Sequence, residues 1–91
     1  MTQHALTTLS NTTATRLTPN GVHSGIDITL QNVNATAYVY IGGEDVSTTN
    51  YGYRIAPDNA WSVELPGQDA LYAISDINGA FVAMLQMGLE I

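Results

Sequence analysis

From Ser24 onward the apolar positions recur with a period of two in short runs, each closed by Gly, Pro, Asn or Asp after about ten residues, a spacing that predicts strands rather than helices. In Ile26-Asp27-Ile28-Thr29-Leu30-Gln31 the alternation is strict: Ile26, Ile28 and Leu30 fall on one face and Asp27, Thr29 and Gln31 on the other. Asn32-Val33-Asn34-Ala35 reads as a turn into a second strand, residues 36–41, so the two form an expected hairpin, and Gly42-Gly43 ends it. After a polar connection at 44–50, residues 51–55 form another strand. Ala56-Pro57-Asp58-Asn59 follows as a turn with Pro and Asp at the central positions of type I.

Trp61, Val63 and Leu65 then alternate with Ser62 and Glu64 up to the turn Pro66-Gly67-Gln68-Asp69. Residues 70–75 are the next strand, and Asp76-Ile77-Asn78-Gly79 is a hairpin turn into a last strand at 80–89. In that strand Phe81, Ala83, Leu85, Met87 and Leu89 share one side and Val82, Met84 and Gln86 the other, with a helix over 80–88 as the competing reading. The expected fold is a small antiparallel β-sandwich, or a partly open barrel, of about seven or eight short strands over residues 19–91. Residues 1–18 are Thr-rich, with Leu6, Leu9 and Leu17 as their larger apolar side chains, and read as an N-terminal arm or an added edge strand.

A strand of a two-layer sandwich should have one apolar and one polar face, and three strands here depart from that rule. If Val39 and Ile41 face the core, Tyr38 and Tyr40 point outward; if Leu71 and Ala73 do, Tyr72 and Ile74 point outward; Val82 and Met84 follow the same logic. These six residues define a candidate partner interface, since Tyr and Met are enriched where proteins meet. The alternative is ordinary cross-strand packing on half-exposed central strands.

Charge narrows the partners. Only 11% of residues are charged and the net charge is −6, with Arg16 and Arg54 as the only strong cations. A phosphate backbone and an anionic membrane both demand several Lys or Arg, so neither is expected as a partner. Uncharged Thr, Ser, Asn and Gln desolvate more cheaply than charged groups, which suits a surface in lasting contact with copies or partners. Cysteine is absent, which removes disulfides and thiolate sites. No apolar stretch approaches the ~18 residues of a membrane span, and the first ten residues carry neither the basic cluster nor the apolar block of a secretory signal.

No catalytic, cofactor or metal constellation is legible. His4 and His23 lack the spacing of a triad or a metal pair, and Asp27, Glu64, Asp69 and Asp76 show no selected acid pair. Residues 44–50 offer oxygen ligands at alternate positions but lack the EF-hand spacing and its closing Glu. The Asn-X-Thr sequons at Asn11 and Asn34 match what an Asn- and Thr-rich chain yields by chance. Tyr51, Tyr53 and Trp61 form an alternative ligand platform, able to stack on a sugar ring if exposed, although Trp61 alternates in register with Val63 and Leu65 as a core residue would.

Val39-Tyr40-Ile41-Gly42-Gly43-Glu44-Asp45-Val46, Gly52-Tyr53, Leu65-Pro66-Gly67 and Leu71-Tyr72-Ala73-Ile74-Ser75 follow one another in an order that resembles small virion proteins of tailed bacteriophages. The resemblance spans residues 24–89. It implies a β-sandwich that coats or projects from the particle, made in the host cytoplasm, with no catalytic residue carried over. Two roles follow as expectations. One is a capsid decoration or cementing protein that binds the major capsid protein or another virion protein as a homo-oligomer, a trimer among the possible forms. The other is a receptor- or carbohydrate-binding module of a fibre or tail.

Overall fold

The period-two runs do fold as strands. The computed structural model describes residues 3–18, 26–65 and 70–87, which form β1 (Gln3–Thr8), β2 (Thr15–Arg16), β3 (Ile26–Asn32), β4 (Val39–Gly42), β5 (Tyr53–Ile55), β6 (Ala60–Leu65), β7 (Tyr72–Ser75) and β8 (Phe81–Met87). There is no helix among the described residues, and the stretch where a helix competed is the strand β8. The protein is therefore all-β, with two four-stranded antiparallel sheets in the orders β1-β8-β3-β6 and β2-β7-β4-β5. The predicted turn at 66–69, His23 and Leu89 lie outside the described residues.

The pairing is not a meander. β1 pairs with β8, β2 with β7, β3 with β6 and β4 with β5, as though a long two-stranded ribbon closed by the β4–β5 loop had been rolled over on itself. The β3–β8 and β4–β7 ladders then complete the sheets. This is the strand order of a jelly roll, the double Greek key. Two expected hairpins are thereby corrected: β3 and β4 lie in different sheets, as do β7 and β8, so Asn32-Val33-Asn34-Ala35 and Asp76-Ile77-Asn78-Gly79 are corners that carry the chain between layers.

Side chains hold those corners. Asn32, fully buried, donates from Nδ2 to the carbonyls of Ala37 at 2.8 Å and Ile55 at 2.9 Å, while its Oδ1 accepts from the Asn34 N–H at 3.0 Å and Asn34 Nδ2 at 2.7 Å. Asn34 in turn clasps the first residue of β8, donating to the Phe81 carbonyl at 2.8 Å and accepting the Phe81 N–H at 3.0 Å. Asp76 in the other corner accepts the Tyr38 N–H at 2.9 Å. Apart from the contact between the two amide side chains, each of these bonds satisfies a backbone group at or beside a corner. At the β5–β6 turn Asp58 has φ 64°, and Asn59 N–H donates to the Ala56 carbonyl at 3.1 Å. A left-handed residue at the third position belongs to type II, not to the expected type I.

Between the sheets lie Leu9, Leu17, Ile28, Leu30, Val39, Ile41, Ile55, Ala73 and Val82, with Trp61, Val63, Leu71 and Met84 packed around them. The Thr-rich start supplies an edge strand to each sheet and two of these core side chains, Leu9 and Leu17. Gln86, also buried, donates to the Leu17 carbonyl at 3.3 Å and so ties β8 to the end of β2 across the layers.

Two outcomes follow. Asn32→Ala strands two buried carbonyls and is expected to cost about 3 kcal/mol, read as a lower urea midpoint at unchanged m-value. Deleting residues 1–9 removes β1 and the Leu9 side chain, and is expected to destabilise by more than about 3 kcal/mol, read as a fall of the thermal midpoint by circular dichroism.

Candidate binding face

A two-layer sandwich has two outer faces, and here they differ in what covers them. On the β2-β7-β4-β5 sheet, β4 sends Val39 and Ile41 inward and Tyr40 outward, while β7 sends Ala73 inward and Tyr72 and Ile74 outward, as the alternation predicts. That face is not open. Tyr40 and Ile74 are 8% and 3% exposed and form a second small core with Val46, flanked by Ala14, Tyr38 and Tyr72. The 44–50 loop folds back over the strand to deliver Val46. Gly42 permits the approach, since a Cβ there would sit 3.1 Å from Val46 Cγ2.

Tyr51 packs on Tyr40 with ring centroids 4.8 Å apart. Arg54 lies over Tyr38 at 5.0 Å and Arg16 over Tyr72 at 6.0 Å, so both of the chain's strong cations cap tyrosines on this one face. Tyr38, Tyr40, Tyr72 and Ile74 are thus brought together, but under the protein's own loop. A charge placed at Tyr40 would disrupt this cluster, and its effect on binding could not be separated from unfolding.

Val82 and Met84 are on the opposite side from the one expected. Val82 is fully buried in the main core and Met84 packs against it, because the β3–β8 register sets Met84 beside the inward Leu30 and Val82 beside the inward Asn32. The other side of β8 is the one that faces out. Phe81, Leu85 and Met87 are each about two-fifths exposed, and Leu6 of β1 is 62% exposed. Ala83 on β8 lies directly between Leu6 on β1 and Gln31 on β3, and its short side chain leaves an open groove of about 380 Å³ lined by Leu6, Leu85, His4, Thr29 and Gln31.

The same outer face changes character away from β1. On β3 and β6 it carries Thr29 and Ser62, whose hydroxyls bond at 2.9 Å, and the directly opposed acids Asp27 and Glu64. Sequence reasoning found no reason to pair these two carboxylates; the register alone brings them together, and like charges in that position oppose the ladder. The face is therefore apolar along β8 and at Leu6, and polar to acidic over β3 and β6.

The three residues of the aromatic platform part company. Tyr53 and Trp61 stack, with centroids 5.1 Å apart and planes 19° apart, bridging edge strand β5 of one sheet and edge strand β6 of the other. Trp61 also packs against the core, and Tyr53 stays 44% exposed. Tyr51 instead covers Tyr40 on the outer face. In the 44–50 loop the Ser47 hydroxyl accepts the Asn50 N–H at 3.0 Å and the Thr49 N–H at 3.3 Å, so it serves the turn itself. Among the described residues no three His, Asp or Glu side chains gather as a metal site.

Fold and surface together define a jelly-roll sandwich with one self-covered face and one open apolar face. No protein-family model, curated protein or solved structure matches the chain. The assignment of faces on β8 is open to a direct check: Val82→Ala is expected to cost about 2 kcal/mol of stability, whereas Leu85→Ser stays within about 0.5 kcal/mol, both read from urea unfolding.

Proposed function

We propose that the chain is a non-enzymatic structural protein of a tailed-phage virion, a decoration or cementing protein whose many copies bind the outer shell of the head. The observation that carries this reading is the open apolar face: Leu6, Phe81, Leu85 and Met87 stand exposed on neighbouring strands of one sheet. Contiguous apolar surface of this kind is characteristic of sites that meet another protein. A net charge of −6 with two strong cations suits a protein partner, the major capsid protein, better than nucleic acid or an anionic membrane. Jelly-roll sandwiches also recur among viral coat domains, which agrees with the resemblance in the sequence. In this role the protein sits on the particle exterior and braces the shell against the pressure of packaged DNA.

A fibre module that binds receptor sugars is the second reading, and exposed Tyr53, backed by Trp61, is what favours it. Immunogold electron microscopy of the phage particles separates the two. Label spread over the head is expected; label confined to the tail or fibre tips would transfer the assignment to the second reading, and unlabelled particles would overturn both. In a co-sedimentation assay with isolated heads, Leu85→Asp should weaken binding by about tenfold or more without changing the thermal midpoint. Wild-type binding by that variant would remove the open face from the account.

A further inference from the structure

We propose that β1 is a self-association edge, at which two copies of this chain pair antiparallel about a two-fold axis through Leu6 and join their four-stranded sheets into one continuous sheet. β1 ends the order β1-β8-β3-β6, so among the described residues no strand pairs with its other side. Which groups point to that side follows from the ladder. Leu9 N–H donates to the Ala80 carbonyl at 2.7 Å, and the register runs unbroken from Gln3↔Gln86 to Thr8↔Phe81. Antiparallel pairs alternate between bonded and non-bonded, so the odd-numbered residues bond to β8 while His4, Leu6 and Thr8 direct N–H and C=O outward.

Soluble sheets normally blunt such an edge with charge, proline or a bulge. Gln-His-Ala-Leu-Thr-Thr has no Lys, Arg, Asp, Glu or Pro, and the unbroken register leaves no room for a bulge. The other edges are worse candidates. β2 has two residues and β5 has three. β6 carries Glu64 opposite Asp27, so self-pairing there would bring acid pairs together in a chain of net charge −6.

Polarity on the outer face points to a second copy as the occupant. Apolar Leu6, Phe81 and Leu85 lie on the β1 side and acidic Asp27 and Glu64 on the β3 and β6 side. Pairing at β1 fuses the two apolar halves at the centre of the joined sheet and holds the acids at its two far ends. A two-fold axis normal to the sheet opposes residues of like parity, which keeps both outer faces on one side. With Leu6 opposite Leu6, His4 meets Thr8 of the other copy and roughly six inter-chain backbone hydrogen bonds form; centring on Ala5 gives about four. The pairing uses the edge and leaves the face open, so it stands independently of shell binding.

Sedimentation equilibrium of the full chain from about 1 to 500 µM tests this, together with Leu6→Pro, which removes an outward N–H and leaves the bonds to β8 intact. The wild type should pass from monomer to dimer across that range, and Leu6→Pro should stay monomeric with a thermal midpoint within a few degrees of wild type. Should the proline variant unfold, amide exchange of the wild type decides. His4, Leu6 and Thr8 should gain about tenfold in protection on going from 10 to 500 µM while Ala5 and Thr7 change little. A monomer at every concentration, a proline variant that still dimerises, or a dimer whose even-numbered β1 amides stay unprotected would overturn the proposal.

Discussion

The buried amide of Asn32 is the interaction on which the arrangement of both sheets depends. A chain that leaves one sheet for the other must turn where no ladder can satisfy its backbone, and in a two-layer sandwich that turn lies against the core. Asn32 resolves the conflict with one planar group: its Nδ2 reaches the carbonyls of Ala37 and Ile55, beside β4 and in β5, and its Oδ1 holds Asn34. Its own N–H donates to the Asn59 carbonyl at 2.9 Å, and its carbonyl accepts the Asp58 N–H at 2.9 Å, so the β5–β6 turn is fastened to the same point. A hydrocarbon there would pack, but it would leave two buried carbonyls unpaired.

From that corner the rolled order follows. Asn34 fixes the start of β8 and Asp76 the approach to β4, so the β3–β4 and β7–β8 corners brace one another. With the corners set, the β3–β8 register decides which side of β8 is inside. This is why Val82 fills the core while Phe81, Leu85 and Met87 remain outside, and hence why this protein has an open apolar face at all. The opposite sheet meets the same excess of apolar side chains in another way, by drawing Val46 down on Tyr40 and Ile74 and placing an arginine over each flanking tyrosine. One surface is thus closed by local chain and the other left exposed.

The strands themselves were legible because the pleat imposes its period directly on the sequence. Ile28 and Leu30 alternate with Asp27 and Thr29, and continuing that period puts Asn32 on the buried face, although Asn is also a common turn residue. Strand pairing was not legible. Asn78-Gly79 supplies the left-handed residue, φ 87° at Gly79, that a hairpin turn also uses, so the same residues serve a corner between layers equally well. On β8 both sides are apolar enough to be core, Gln86 argued for the wrong one, and only its bond to the Leu17 carbonyl shows how an amide is accommodated inside.

Sequence alone determined what depends on local alternation and composition: an all-β chain, the position of most strands, the scarcity of charge and the absence of cysteine. The tertiary structure decided the rolled pairing, the inward side of β8, the burial of Tyr40 and Ile74, the meeting of Asp27 with Glu64 and the place of β1 at the end of its sheet. Each of these depends on which distant segment lies opposite, and a two-residue period is indifferent to that choice because it reads the same for either neighbour and, where both faces are apolar, for either side.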